Sequence, residues 1–513
     1  MKKTICCFLS VVLFGSMILT GCSSSEPRTV QQIVIGENTD LGGYDPGTDM
    51  SPFIRTLIYN SLVELDADFK LTPALAEKWE MAPDGKTWTF YLRQGVVFHD
   101  GTPLNAQIVK QNMDMLRNGS AKSWLYNVAE VKAPDDSTVV FLMKNPCFTF
   151  ASDLAVPSLS IISPAALDAT GKVVKAIGTG PYVLESWNKD QDFVMQRNTK
   201  YWGGIPKTEK LVFKVIRDPD ARAMALEAGT VDFISLRQSL TAATRIAQNN
   251  KFSIKKRLGQ TSEIMFLNIN SPALTDLPVR KAVAHSLNIK EMIPGLLGDN
   301  AEPGRTFFSP VYGQYVMPQD AVLPYDLNKA KEYLKEAGWH AGPNGLQVKD
   351  GNPLRLRIVF GAKNAEDSLL AGAVQSGLKD AGIAAVLVPL EEAALMDALK
   401  NKNYDLIMVS QSYIPHDEPS SHYLQGYYHP QAAYSVLTAP EITKTIDRLF
   451  LTADSRERLN LHHKIQELIC EQVPVIVLFH RNNMAAMKKN VMGFEVSVGT
   501  WQLYRALEKT YVQ

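Results

Sequence analysis

Between Asp326 and Ser410 the sequence alternates between two hydrophobic periods, and this rhythm limits the fold more than any other feature. Leu327, Ala330, Tyr333, Leu334 and Ala337 recur at the spacing of one helix face, with Asp326 placed to cap the start and Gly338 the end. Leu369, Leu370, Ala373, Val374 and Leu378 make a second such stripe over 367–382. Short apolar runs at 354–360, 383–388 and 404–410 read as strands. Strands alternating with helices predict an α/β lobe over about 266–480.

The first half of the chain has a different character. Residues 33–36 read as an early strand. After the Pro83-Asp84-Gly85-Lys86 turn, Trp88, Phe90 and Leu92 alternate on one face, and 138–142 repeats the pattern. These segments predict a β-rich piece. A chain of 513 residues is too long for one hydrophobic core, so two or three domains are expected. The formal net charge of zero gives no basic excess for binding nucleic acid.

The N-terminus reads as a processing signal. Lys2 and Lys3 precede an apolar run over 5–19, which is short for a spanning helix and ends in Leu19-Thr20-Gly21-Cys22 before three serines. This resembles a bacterial lipobox. The resemblance implies removal of residues 1–21, lipidation of Cys22, a tether over 22–30, and a protein anchored to the cell membrane facing the periplasm or the cell exterior. Cys6 and Cys7 would leave with the signal. Cys147 and Cys470 are expected to be buried free thiols.

Catalytic signatures are missing. The sequence has no Gly-x-Ser-x-Gly elbow, no phosphate-cradling loop, no dinucleotide fingerprint and no His-Glu-x-x-His. An enzyme is therefore not expected. His285 reads as a hydrogen-bonded structural histidine within a helix. His462 and His463 point about 100° apart on a helix, which suits a surface pair better than a shared metal.

Several segments carry a family resemblance: Leu75-Ala76-Glu77-Lys78-Trp79-Glu80, Pro83 to Arg93, Val97 to Leu104, Ile177-Gly178-Thr179-Gly180-Pro181-Tyr182, Asn198 to Gly203, Asp218 to Asp232, Val279 to Asn288 and Tyr325 to Trp339. Together they resemble extracellular solute-binding family 5, the receptors of peptide, nickel and opine ABC importers, and most of all the nickel and metallophore branch. The implied fold is α/β, a two-lobed periplasmic-binding-protein type II fold that closes on its ligand by a hinge. The first lobe would comprise 31–265, with a β-rich insertion at about 63–180, and 481–513 would return to it. The second lobe would be 266–480. The implied function is a lipid-anchored, monomeric receptor that passes cargo to a permease and its ATPase, with no cofactor of its own.

Cargo is the open question. The branch implies nickel or another transition metal, captured as a chelate with a small organic ligand. Ser123-Trp124-Leu125 and Leu154-Ala155-Val156-Pro157 resemble its pocket-forming stretches, which makes Trp124 a candidate flat contact; an inter-domain core residue is the plainer reading. Where the branch carries a carboxylate-binding arginine after Leu-x-x-Pro, this chain has Ser158, which cannot form a charged bidentate pair. Either another cation takes over, with Arg55 and Arg481 as candidates, or the cargo carries less negative charge. The stretch His416-Asp417-Glu418-Pro419-Ser420-Ser421-His422-Tyr423-Leu424-Gln425-Gly426-Tyr427-Tyr428-His429 follows a strand, where α/β domains bind ligands. It matches the loop that holds a metal-ligating histidine in the branch. His429, then His416, are the candidate metal ligands, with His422 as the third; imidazole suits late transition metals. Tyr413, Tyr427 and Met50 are further candidates. Two alternatives remain: a di- or oligopeptide receptor, with Asp417 or Glu418 taking an amino terminus, and a signalling or adhesion protein on the same fold.

Overall fold

The computed structural model describes residues 31–119, 122, 124–236, 240–318, 320–412, 421–432, 434–437 and 439–513. The expected signal and tether with Cys22, and the candidates Tyr413 and His416, lie outside the described residues.

Residues 31–513 form one compact unit around an eleven-stranded mixed sheet. One end of the sheet has the β–α–β character expected from the sequence. Arg355–Gly361 pairs in parallel with Ala384–Leu390 and with Leu406–Ser412. Helix Ala365–Asp380 connects the first two of these strands. At the other end Gln32–Glu37 pairs in parallel with Lys210–Val215 and Phe233–Ser235, and two antiparallel strands, Asp192–Arg197 and Tyr182–Asn188, complete the edge.

Two long antiparallel strands join these ends. Phe252–Leu267 and Val475–Lys488 run beside each other along most of their length. Residues 252–258 pair with 482–488, and 485–487 pair in turn with Phe233–Ser235. Residues 262–266 pair with 475–480, and 261–267 pair with Leu406–Ser412. Each strand thus belongs to both ends of the sheet, and the ladder breaks register between Leu258 and Ser262. Gly259 occupies the break. A Cβ there would lie 2.9 Å from Asn483 Nδ2 and 3.0 Å from the Arg481 carbonyl, so a larger residue fits only if these neighbours shift.

A separate four-stranded antiparallel sheet, in the order Ala76–Met81, Thr87–Leu92, Thr138–Met143, Val128–Lys132, makes the β-rich insertion. Its inner face buries Trp88, Phe90 and Leu92 in the expected alternation, with Phe141 and Phe150 packed edge-on to Phe90. The turn before it needs glycine: Gly85 has φ +66°, and a Cβ there would meet the Phe148 ring at 2.7 Å.

Local expectations hold where caps and periodicity agree. Helix Leu327–Glu336 starts at Asp326, whose side chain accepts from the Lys329 N–H, and Gly338 past its end has φ +84°. The helix at 365–380 starts two residues earlier than predicted. Its buried residues are Leu370, Ala371, Val374 and Leu378, while Leu369 is 58% exposed; Ala371, not Leu369, completes the apolar face. His285 is buried, with Nδ1 2.6 Å from the Pro324 carbonyl. The His462-His463 pair is not a surface pair. His462 is fully buried with its ring edge-on to Tyr315, and only His463 faces outward, toward the Gln314 carbonyl at 2.8 Å. Cys147 and Cys470 are free, and burial pushes both thiols up to about 12. Among the described residues no helix is long and apolar enough to cross a membrane.

Candidate functional site

The residues singled out from the sequence fall on two walls. The first is built from the 41–50 loop, the one-turn helix Arg55–Ile58 and the turn Pro157–Leu159. Arg55 is buried between them. One terminal nitrogen donates to the Pro46 carbonyl and to Ser158 Oγ at 2.8 Å, and the other donates to the Met50 carbonyl at 2.9 Å. Its Nε is buried and has no hydrogen-bond partner. Burial lowers the guanidinium to about 10, against the pull of Asp45 and Asp49. Ser158 thus has a cation beside it. Met50 is 1% exposed and packs in the core of this end, so its backbone carbonyl is what meets the arginine.

Arg481, the other candidate cation, is engaged elsewhere. Nη2 lies 2.9 Å from Glu263 and Nη1 lies 3.1 Å from Glu366. Burial opposes its charge, but the two carboxylates outweigh burial and raise its pKa.

The second wall is a groove of about 310 Å³ between the β-rich insertion and helix Pro440–Leu451. Trp124, Cys147 and Asp153 line one side, and Asp447 and Phe450 the other. Trp124 is half-buried here and also packs against the large core shared by the insertion and the far end of the sheet. Cys147 Sγ sits 3.9 Å from Asp153 Oδ2, and burial together with that carboxylate keeps the thiol protonated.

The end of the histidine-rich stretch meets one residue of this groove, Asp447. Residues Ser421–Tyr428 form a helix that begins beyond Leu406–Ser412. Leu424 and Tyr428 anchor it in the core, which period-two reasoning on a polar run could not have shown. His422 lies in its first turn. Tyr427 stacks on Phe266 at 5.5 Å and on Tyr434 at 6.0 Å, and burial raises its phenol. His429 follows the helix directly. Its Nδ1 accepts from the Gln431 N–H at 3.3 Å, which leaves the proton on Nε2, 3.4 Å from Asp447 Oδ1. Asp447 lines the groove, so His429 reaches the groove through it. No motif or periodicity marked Asp447, an exposed acid on helix Pro440–Leu451. Among the described residues no group of three or more His, Cys, Asp or Glu side chains could hold a metal ion by itself.

What this arrangement offers is an imidazole beside an exposed carboxylate, and a groove with an aromatic side chain on one side. A family model for bacterial extracellular solute-binding proteins, family 5, matches residues 70–435. The nickel-binding periplasmic protein of Escherichia coli K12 is 29% identical over 493 residues, covering 92% of both chains. The glutathione-binding protein GsiB of the same organism is 27% identical over 505 residues, covering 95% of both. The crystal structure of NikA from Brucella suis in complex with Fe(III)-EDTA superposes with a TM-score of 0.87 at 26% identity, covering 94% of this chain and all of that one.

Proposed function

The chain belongs to the bacterial extracellular solute-binding proteins of family 5, non-enzymatic receptors of ABC importers, and from that premise we propose that it captures nickel or another transition metal as a chelate with a small organic ligand. In this reading residues 31–265 and 481–513 are one lobe and 266–480 the other. Phe252–Leu267 and Val475–Lys488 are the hinge crossings, and closure follows from contacts that cargo makes to both lobes at once. Cys22 carries the acyl anchor, the protein faces the periplasm or cell exterior, and it hands cargo to a permease as a monomer.

One observation carries the metal reading: His429 stands beside a groove lined by Trp124, with its Nε2 held by a single exposed carboxylate, Asp447. If the imidazole gives up the Gln431 N–H and carries its proton on Nδ1, Nε2 and the Asp447 oxygen 3.4 Å away can serve as neighbouring donors on one ion, with the chelator filling the remaining positions.

The second reading, a small-peptide receptor, is favoured by the likeness to GsiB over the same span, since glutathione is a tripeptide. Titration calorimetry separates the two. The expected result is binding of Ni²⁺ with two equivalents of L-histidine, weakened at least tenfold in His429→Ala and less in Asp447→Asn. Binding of glutathione with no response to the nickel–histidine mixture would overturn the metal reading.

A further inference from the structure

The two crossing strands are polar where they pass between the ends of the sheet, and their side chains there are partnered with one exception. Ser262 Oγ meets His480 Nδ1 at 2.8 Å, and Thr306 Oγ1 meets the other ring nitrogen at 3.2 Å. Thr261 and Thr500 share a contact at 3.3 Å. Asn483 Nδ2 donates to the Ser497 and Val498 carbonyls, and Asn482 to that of Asp299. Glu263 and Arg481 hold each other.

Gln260 is the exception. It is fully buried, and neither its Nε2 nor its Oε1 has a hydrogen-bond partner. A buried amide wholly without partners is rare, because the groups give up water and receive nothing in return. The backbone around it is not loose. Its own N–H donates to the Val498 carbonyl at 3.1 Å, the Val498 N–H donates to the Ala67 carbonyl, and the Gly259 carbonyl accepts from Ser309 Oγ at 2.7 Å. The amide is therefore held at the register break of the crossing strands, stitched to the 498–500 segment on one side and to the 306–309 segment on the other. A methionine of the same length would fill this place at no polar cost.

We propose that Gln260 is a cargo-positioning residue: its amide supplies one N–H and one carbonyl oxygen to cargo at the floor of the cleft. This deepens the receptor reading and rests on it. In a two-lobed receptor the crossings are the part of the cleft common to both lobes, so a hydrogen-bonding group there senses cargo however the lobes turn. The missing partner is one that comes and goes, since the neighbouring polar groups are already engaged. An uncharged donor and acceptor side by side fit cargo that presents an oxygen and an N–H close together, as the carboxylate and amine of an amino-acid chelator do, or a peptide bond. The amide selects for that pairing and is indifferent to the metal.

The test compares wild type with Gln260→Met, which removes the amide and keeps its length, and with Gln260→Glu, which keeps the acceptor and loses the donor. Two measurements are made on the full mature chain: the unfolding midpoint without cargo, and calorimetric titration with Ni²⁺ plus two equivalents of L-histidine and with glutathione. The expected result is a midpoint in Gln260→Met at or above wild type, with at least a tenfold loss of affinity for whichever probe wild type binds and a comparable loss in Gln260→Glu. A lowered empty midpoint in Gln260→Met shows that the amide has a resident partner such as a fixed water, and overturns the proposal. Unchanged affinity in both variants overturns it too. If wild type binds neither probe, the choice of cargo has failed rather than the role of Gln260. The empty-protein comparison then decides: a raised midpoint sustains an uncompensated amide, and a lowered one refutes it.

Discussion

Asp367→Asn should stabilise the protein at pH 8 and fail to stabilise it at pH 4. Asp367 shares a half-buried corner with Glu263, Glu366 and Arg481. The one guanidinium is engaged by Glu263 at 2.9 Å and Glu366 at 3.1 Å, and the Ser410 hydroxyl also donates to Glu263. Asp367 is left with the Asn364 amide at 3.1 Å. Burial first, and the Glu263 charge second, push its carboxyl from 3.8 up to about 6, while Asn364 and Arg481 pull it down and Glu366 adds a little more. Between these two pH values the folded chain holds a proton that the unfolded chain releases. The group's contribution to stability is therefore full below about pH 4 and is lost as pH rises through about 6. Two units correspond to about 3 kcal/mol, which partial exposure to solvent cuts to about 1–2 kcal/mol. Asparagine keeps the acceptor for Asn364 and removes the charge. It also removes an anion from the first turn of helix Ala365–Asp380, at a cost of about 0.3–1 kcal/mol. The net gain at pH 8 is then about 1 kcal/mol and falls to about zero at pH 4, where the folded chain already holds the proton and no anion is removed. Urea unfolding of wild type and variant, followed by tryptophan fluorescence at both pH values, measures it. The same difference at pH 4 and pH 8, or a loss at pH 8, would refute the electrostatic account of this corner.

Two further perturbations probe the same region. Arg481→Met strands Glu263 and Glu366 without a counter-charge and should cost about 3–5 kcal/mol at pH 8, with partial recovery in acid, read from the same unfolding curves. Gly259→Ala puts a Cβ within 3.0 Å of the Arg481 carbonyl and should cost about 1–3 kcal/mol, seen as a lowered thermal midpoint; an unchanged midpoint would mean that the register break yields easily.

What the sequence disclosed was local or repeated. Asp326 and Gly338 bracket one helix because capping is decided within four residues. Trp88, Phe90 and Leu92 alternate because one sheet face is buried. The crossing strands left no such mark. The two halves of Phe252–Leu267 have different neighbours, so no single period runs through them, and their pairing with Val475–Lys488 spans more than two hundred residues. Leu369 misled because a stripe of five apolar residues is wider than the face that helix buries. His462 misled because charge and polarity say nothing about an aromatic neighbour such as Tyr315, which arrives from a distant turn. The same limit applies to the site: Ser158 could be marked as unusual, but its contact with Arg55, 103 positions away, belongs to the tertiary fold.

That contact bears on the charge of the cargo. Among the described residues four guanidinium groups are buried, those of Arg55, Arg222, Arg280 and Arg458, and Arg481 and Arg505 are largely covered beside carboxylates. Arg222, Arg280 and Arg458 each donate to backbone carbonyls at helix or turn ends, which ties segments together. Arg481 is taken up by two carboxylates. Arg55 follows the first pattern: it donates to Pro46, Met50 and Ser158 with three of its five N–H groups and is 7% exposed. A guanidinium so placed fixes the shape of the 44–50 loop before any cargo arrives, and its burial shields the N–H groups that remain from a carboxylate arriving from solvent. Neither candidate cation thus stands free to neutralise a strongly anionic chelate. Of the two alternatives that Ser158 posed, a less negative cargo fits this arrangement better. Such cargo would be held by coordination at His429 and by neutral hydrogen bonding at Gln260, groups whose strength depends little on ionic strength.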